Sequence, residues 1–64
     1  METKEIERIL DQLANKEISE YKVSKEQFMD FRQLLIKRPD FKHFRGIAEH
    51  NADIIYQYTD TARS

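Results

Sequence analysis

At 64 residues the chain lies near the lower limit at which one domain buries enough apolar surface to fold alone, and a single small domain is expected. A content of 39% hydrophobic and 36% charged residues, with four Phe and three Tyr, excludes a disordered segment. The absence of cysteine excludes disulfides and thiolate metal sites, and a formal charge of −1 supplies no global field toward nucleic acid.

Residues 4–15 carry Ile6, Ile9, Leu10 and Leu13 at helical spacing, with Glu5, Glu7, Arg8, Asp11 and Gln12 on the other face. An amphipathic helix follows, with Thr3 as N-cap and Asn15 as its stop. The link beyond it holds Ile18, Tyr21 and Val23, which are expected to fold back onto the core.

A second helix is predicted over 24–38. Ser24 and Gln27 match the S-x-x-Q capping box, and Val23 and Phe28 hold the staple positions. Phe28, Phe31, Leu34 and Leu35 share one arc of this helix, while Met29 and Ile36 lie together outside it, with Arg32 between the two sets. A helix that is apolar on two sides suits the middle of a bundle; the second reading has Met29 and Ile36 facing a partner. Lys37 and Arg38 stand at the negative end of the helix dipole, and Pro39 is expected to stop the helix.

For 40–59, a single helix capped by Asp40 gathers Phe41, Phe44, Ile47, Ala48, Ala52, Ile54, Ile55 and Tyr58 into one arc. The alternative is two or three helices with a C-terminal β-hairpin or strand near 44–59, a hairpin turning near Asn51, supported by Gly46 and by the β-prone run Ile54–Tyr58. Residues 44–49 alternate poorly and Asn51-Ala52 is not a favoured two-residue turn, so the helix is preferred. The predicted fold is an all-α three-helix bundle, with helices near 4–15, 24–38 and 40–59 and frayed ends at 1–3 and 60–64.

Charge is distributed unevenly. Residues 1–20 carry three bases against six acids, residues 21–45 seven against three, and residues 46–64 one against three. The expected meaning is that the acidic ends pack against the basic middle. The segment Lys37-Arg38-Pro39-Asp40-Phe41-Lys42-His43-Phe44-Arg45-Gly46 concentrates the positive charge. Helix, short turn and helix make the outline of a helix-turn-helix, in which Lys42, His43 and Arg45 would occupy the first turn of the recognition helix. Glu49 and Asp53 on the same side oppose that use, leaving only about three to five bases for phosphate. A stacking role for Phe41 and Phe44 is set aside because their spacing places them in the core.

His43 and His50 stand two helical turns apart, about 10 Å, so one metal ion cannot take both. There is no cysteine nucleophile, no glycine-rich phosphate loop and no carboxylate pair that spacing alone brings together. The expectation is therefore a non-enzymatic module without metal or cofactor, binding another protein or a second copy of itself. Its candidate contact residues are Met29, Ile36, Tyr56, Lys37, Arg38, Lys42, His43 and Arg45. A DNA-binding regulator using residues 37–45 is the alternative. No apolar run reaches signal-peptide or membrane-span length, so a soluble, cytoplasmic protein is expected.

Overall fold

The apolar stripe of the first segment forms helix α1, Thr3–Ala14, and buries Ile6, Ile9, Leu10 and Leu13. The structure, a computed structural model, describes residues 2–62. The helix begins one residue earlier than expected: Glu2 is the N-cap, its carbonyl accepting from the Ile6 N–H at 3.1 Å, and Thr3 lies inside the first turn. Asn15 is the C-cap, and Lys16 follows with φ 61°. The Lys16 N–H donates to the Leu13 carbonyl and the Glu17 N–H to that of Gln12, at 3.1 and 2.9 Å. This is a Schellman stop with lysine in the left-handed position that glycine occupies at least cost.

The chain then enters strand β1, Tyr21–Val23, and turns directly into helix α2, Lys25–Leu35. Ser24 is the N-cap of α2, but its hydroxyl makes no capping bond; the Gln27 N–H donates to the Ser24 carbonyl instead, at 3.1 Å. The capping box thus marks the right position without forming its side-chain exchange. Helix α2 ends at Leu35, four residues before Pro39 and short of the predicted 38. A 3-10 turn, Phe41–His43, leads into strand β2, Phe44–Ala48, and strand β3, Ile54–Tyr58, closes the fold.

The three-helix bundle is overturned. The protein is α+β, with two α-helices on a three-stranded antiparallel sheet of order β1-β3-β2. Within the predicted third helix, β2 and β3 form the hairpin that was the alternative near 44–59. Its turn is longer than the two-residue type weighed from the sequence. The Glu49 N–H donates to the Asp53 carbonyl (2.8 Å), and the Ala52 N–H to the Glu49 carbonyl (3.2 Å), so the loop is His50-Asn51-Ala52. Ala52 has φ 66°, the left-handed residue of a three-residue hairpin.

Both left-handed residues carry a Cβ where glycine fits better. Lys16→Gly and Ala52→Gly should each stabilise the fold by about 1 kcal/mol. Thermal melting should therefore rise by roughly 4–8 °C for each change; an unchanged or lowered midpoint would contradict the assignment. Loss of the exposed Lys16–Asp60 ion pair matters little here.

One sheet face is covered by the helices. On it lie Tyr21 and Val23 of β1, Ile54, Tyr56 and Tyr58 of β3, and Phe44, Gly46 and Ala48 of β2. Phe31 of α2 is fully buried there, stacked at 4.8 Å on Tyr56 and at 6.2 Å on Tyr21. Leu35, Val23 and Phe44 complete the core with the α1 stripe. The other face carries Lys22, Ile55, Gln57, Arg45 and Ile47. Among the described residues, no helix is long and apolar enough to cross a membrane.

Candidate functional site

Strand β2 is an edge strand, and the hydrogen-bond pattern fixes which of its groups are free. The Thr59 N–H donates to the His43 carbonyl (2.8 Å), and the Glu49 N–H to the Asp53 carbonyl (2.8 Å). Antiparallel pairs alternate, so Arg45 and Ile47 turn their peptide groups toward β3. Gly46 and Ala48 turn theirs to the open edge. Both residues are exposed.

Beside this edge runs a groove between α2 and the sheet, about 440 Å³ in volume. Phe28, Arg32, Leu35 and Ile36 form its helical wall, and Gly46, Ala48, Ile54 and Tyr56 its floor. The floor is low because the inward positions of β2 are glycine and alanine. A Cβ on Gly46 would meet Ile54 Cγ2 and Tyr56 Cε1 at 3.3 Å each, closer than those side chains accept without shifting. Phe41 and Phe44 close the end nearest the 3-10 turn.

The two exposed large apolar residues among those described are Met29 and Ile36, at 56% and 46% exposure. They do not form a second buried face of α2, as the central-helix reading required. Ile36 stands on the groove wall; Met29 lies two turns before it on the same stripe, with Arg32 between them. Arg32 on the groove wall and Arg45 on the outer face of β2 make no ion pair among the described residues, so unneutralised positive charge flanks the edge on both sides of the sheet.

The remaining expected contact residues disperse. Tyr56 is buried under the groove, leaving its ring as floor rather than as a surface anchor. Arg38 is occupied by the fold: its Nε and Nη2 donate to the two Asp40 oxygens at 2.9 and 3.3 Å, and its Nη1 to Asp11 at 2.8 Å. Its guanidinium also lies 5.6 Å from the centre of the Phe44 ring. His43 is half-buried and pinned at the end of the hairpin. Its Nδ1 lies 2.8 Å from the Thr59 carbonyl, which can only accept, so Nδ1 carries the proton. The ring stacks on Tyr58 at 5.3 Å. Lys37 and Lys42 are exposed. Lys37 borders a shallow hollow with Glu7 and Pro39 on the α1 side, away from the groove lining.

The basic segment therefore divides among structural clasps and separate faces. The helix that a helix-turn-helix would require beyond Asp40 is a 3-10 turn followed by β2. Among the described residues, no three His, Asp or Glu side chains gather as metal ligands.

Sequence reasoning missed Arg32, Gly46 and Ala48 as site residues. Arg32 sat visibly between Met29 and Ile36. The alternation Phe44-Gly46-Ala48 was also present, but as small residues, which mark an uncovered stretch of sheet rather than a packed one.

The family model described as YkzS-like protein matches residues 3–57, a span that takes in both helices, the sheet up to Gln57 and the whole groove, and the chain belongs to that family. No curated protein and no solved structure matches it.

Proposed function

We propose that this member of the YkzS-like family is a non-enzymatic protein-interaction module that binds an extended polypeptide segment along the β2 edge. One observation carries the reading: a free strand edge, a small-residue floor and an exposed apolar helix stripe meet along a single groove. An added strand would exchange backbone hydrogen bonds with Gly46 and Ala48, and its inward side chains would enter the groove against Ile36 and Phe41. Arg32 on the groove wall and Arg45 on the outer face of β2 supply positive charge on either side of the edge, favouring a segment that combines apolar and acidic residues. Action in the cytoplasm fits the cysteine-free, charge-rich composition.

Selection of binding peptides from a random display library tests this. Selected peptides should be extended, with apolar and acidic positions, and should shift the Gly46 and Ala48 amide resonances. The double variant Met29→Glu, Ile36→Glu should keep its circular dichroism and lose binding at least about tenfold, since charges would then replace the apolar stripe. Peptides that shift α1 resonances instead, or a library that yields none against a chain that stays monomeric, would refute the reading.

A further inference from the structure

The edge that awaits a strand has a sequence suited to one particular strand: its own. We infer that the occupant of the β2 edge is β2 of a second copy of this chain, paired antiparallel about a two-fold axis at Ile47, so that two three-stranded sheets become one of six. The inference rests on the docking reading above and names its partner.

The argument begins with the order Arg45-Gly46-Ile47-Ala48-Glu49. Read outward from Ile47, each side has a small residue and then a charge, positive on one side and negative on the other. A two-fold antiparallel pairing centred on Ile47 sets Arg45 opposite Glu49 of the second copy, and Glu49 opposite its Arg45. Gly46 and Ala48 then face Ala48 and Gly46 of the second copy. These are the residues whose N–H and C=O groups point to the open edge, so the pairing closes four backbone hydrogen bonds.

The neighbouring registers lack this match. An axis on Arg45 brings two guanidinium groups together. An axis on Gly46 leaves Arg45 facing Ile47 and diagonal to the other Arg45. A hydrogen-bonded register must shift in steps that keep Gly46 and Ala48 on the edge, so the charges select among very few arrangements.

Both sheet faces gain from the same pairing. On the outer face, Ile47 is already the cross-strand partner of Ile55, and both are half-exposed. Across the axis the row becomes Ile55, Ile47, Ile47, Ile55, a continuous apolar band bordered by the Arg45–Glu49 pairs. On the inner face, the glycine and alanine floors of the two grooves join. The two α2 walls, each bearing exposed Met29 and Ile36, then face one another across that floor. Nothing on β2 blocks such an approach: it has no proline, no lysine and no bulge, the usual protections of an exposed edge. A core this small also has reason to extend itself by association.

Sedimentation equilibrium across a concentration series, with amide exchange read by NMR, tests the pairing. The wild-type chain should pass from monomer to dimer, with Gly46 and Ala48 amides protected only in the dimer. Arg45→Glu and Glu49→Arg, each placing like charges opposite one another twice, should raise the dimer dissociation constant roughly tenfold. The combined Arg45→Glu, Glu49→Arg variant restores the match and should recover the wild-type constant, an outcome that a mere loss of folding could not produce.

A monomer at every concentration, a dimer indifferent to the single reversals, or a dimer with freely exchanging Gly46 and Ala48 amides would each overturn the inference. If the chain stays monomeric yet library peptides still shift those two amides, self-pairing fails and strand docking stands. If neither occurs, both fail.

Discussion

Phe31→Ala should leave little folded protein. Its ring is completely buried and stacks on Tyr56 of the central strand and on Tyr21 of the edge strand. It is therefore the contact through which α2 grips two strands at once. Removing a buried phenyl ring in a close-packed core costs about 3–5 kcal/mol, and the lost aromatic stacking comes with it. A single domain of this size has a total stability near the lower end of roughly 5–15 kcal/mol. The variant should therefore show a largely collapsed near-ultraviolet signal and either no cooperative urea transition or one shifted to much lower denaturant. Phe28→Ala, on the same helix but only half-buried at the groove wall, is the control. It should lose less than half as much and keep a cooperative transition. Equal losses at the two positions would mean that the core is not centred on Phe31.

Much of that core was legible from spacing. The stripe Ile6, Ile9, Leu10 and Leu13 became the buried face of α1, and Phe31 and Leu35 that of α2. Both helices lie on the sheet, so each needs only one apolar face, and this is why Met29 and Ile36 have no neighbour to cover them. The last segment deceived because a short apolar-rich stretch can satisfy two periodicities. Phe41, Phe44, Ile47, Ala48, Ile54, Ile55 and Tyr58 fit a helical arc, while Phe44, Gly46, Ala48 and Ile54, Tyr56, Tyr58 fit alternation across two strands. Strand pairing decides between them through contacts distant in sequence. Tyr56 reaches Tyr21 across the β1–β3 ladder and Phe31 beneath it, and local spacing contains no trace of either contact.

The candidate site was hidden by the same ambiguity. A free edge exists only once the strand order is known, and Gly46 and Ala48 acquire meaning only as the floor beside that edge. The expected pairing of the acidic first helix with the basic middle did occur, in the Arg38–Asp11 bridge. Arg38 was weighed as a contact residue, yet its chemistry is spent inside the fold.

Arg38→Ala should cost about 1–3 kcal/mol at neutral pH, the range for charge-assisted hydrogen bonds at partly buried groups. The side chains of Arg38 and Asp40 are 23% and 26% exposed, so their two-pronged contact is partly shielded from water. Asp11 is 62% exposed, and its bridge to Arg38 contributes less. The hydrogen bonds from Arg38 hold the Asp40 carboxyl below its ordinary range, against the opposing effect of burial. The same contact raises Arg38 further above its already high value, so the guanidinium stays charged at every pH of interest. A carboxyl whose folded pKa lies below its unfolded one stabilises the fold above the unfolded value. That contribution is lost as pH falls through the folded value. Wild-type stability should accordingly decline below about pH 4. Arg38→Ala and Asp40→Asn should both start lower at neutral pH and show a shallower acid limb. Arg38→Lys retains the charge but not the planar fork or the cover over Phe44, and should recover only part of the loss. Urea titrations at several pH values decide the matter. An acid limb of unchanged steepness in Asp40→Asn would place the titrating group elsewhere, and full recovery by lysine would show that the charge alone, not the clasp joining α1 to the approach of β2, holds this corner together.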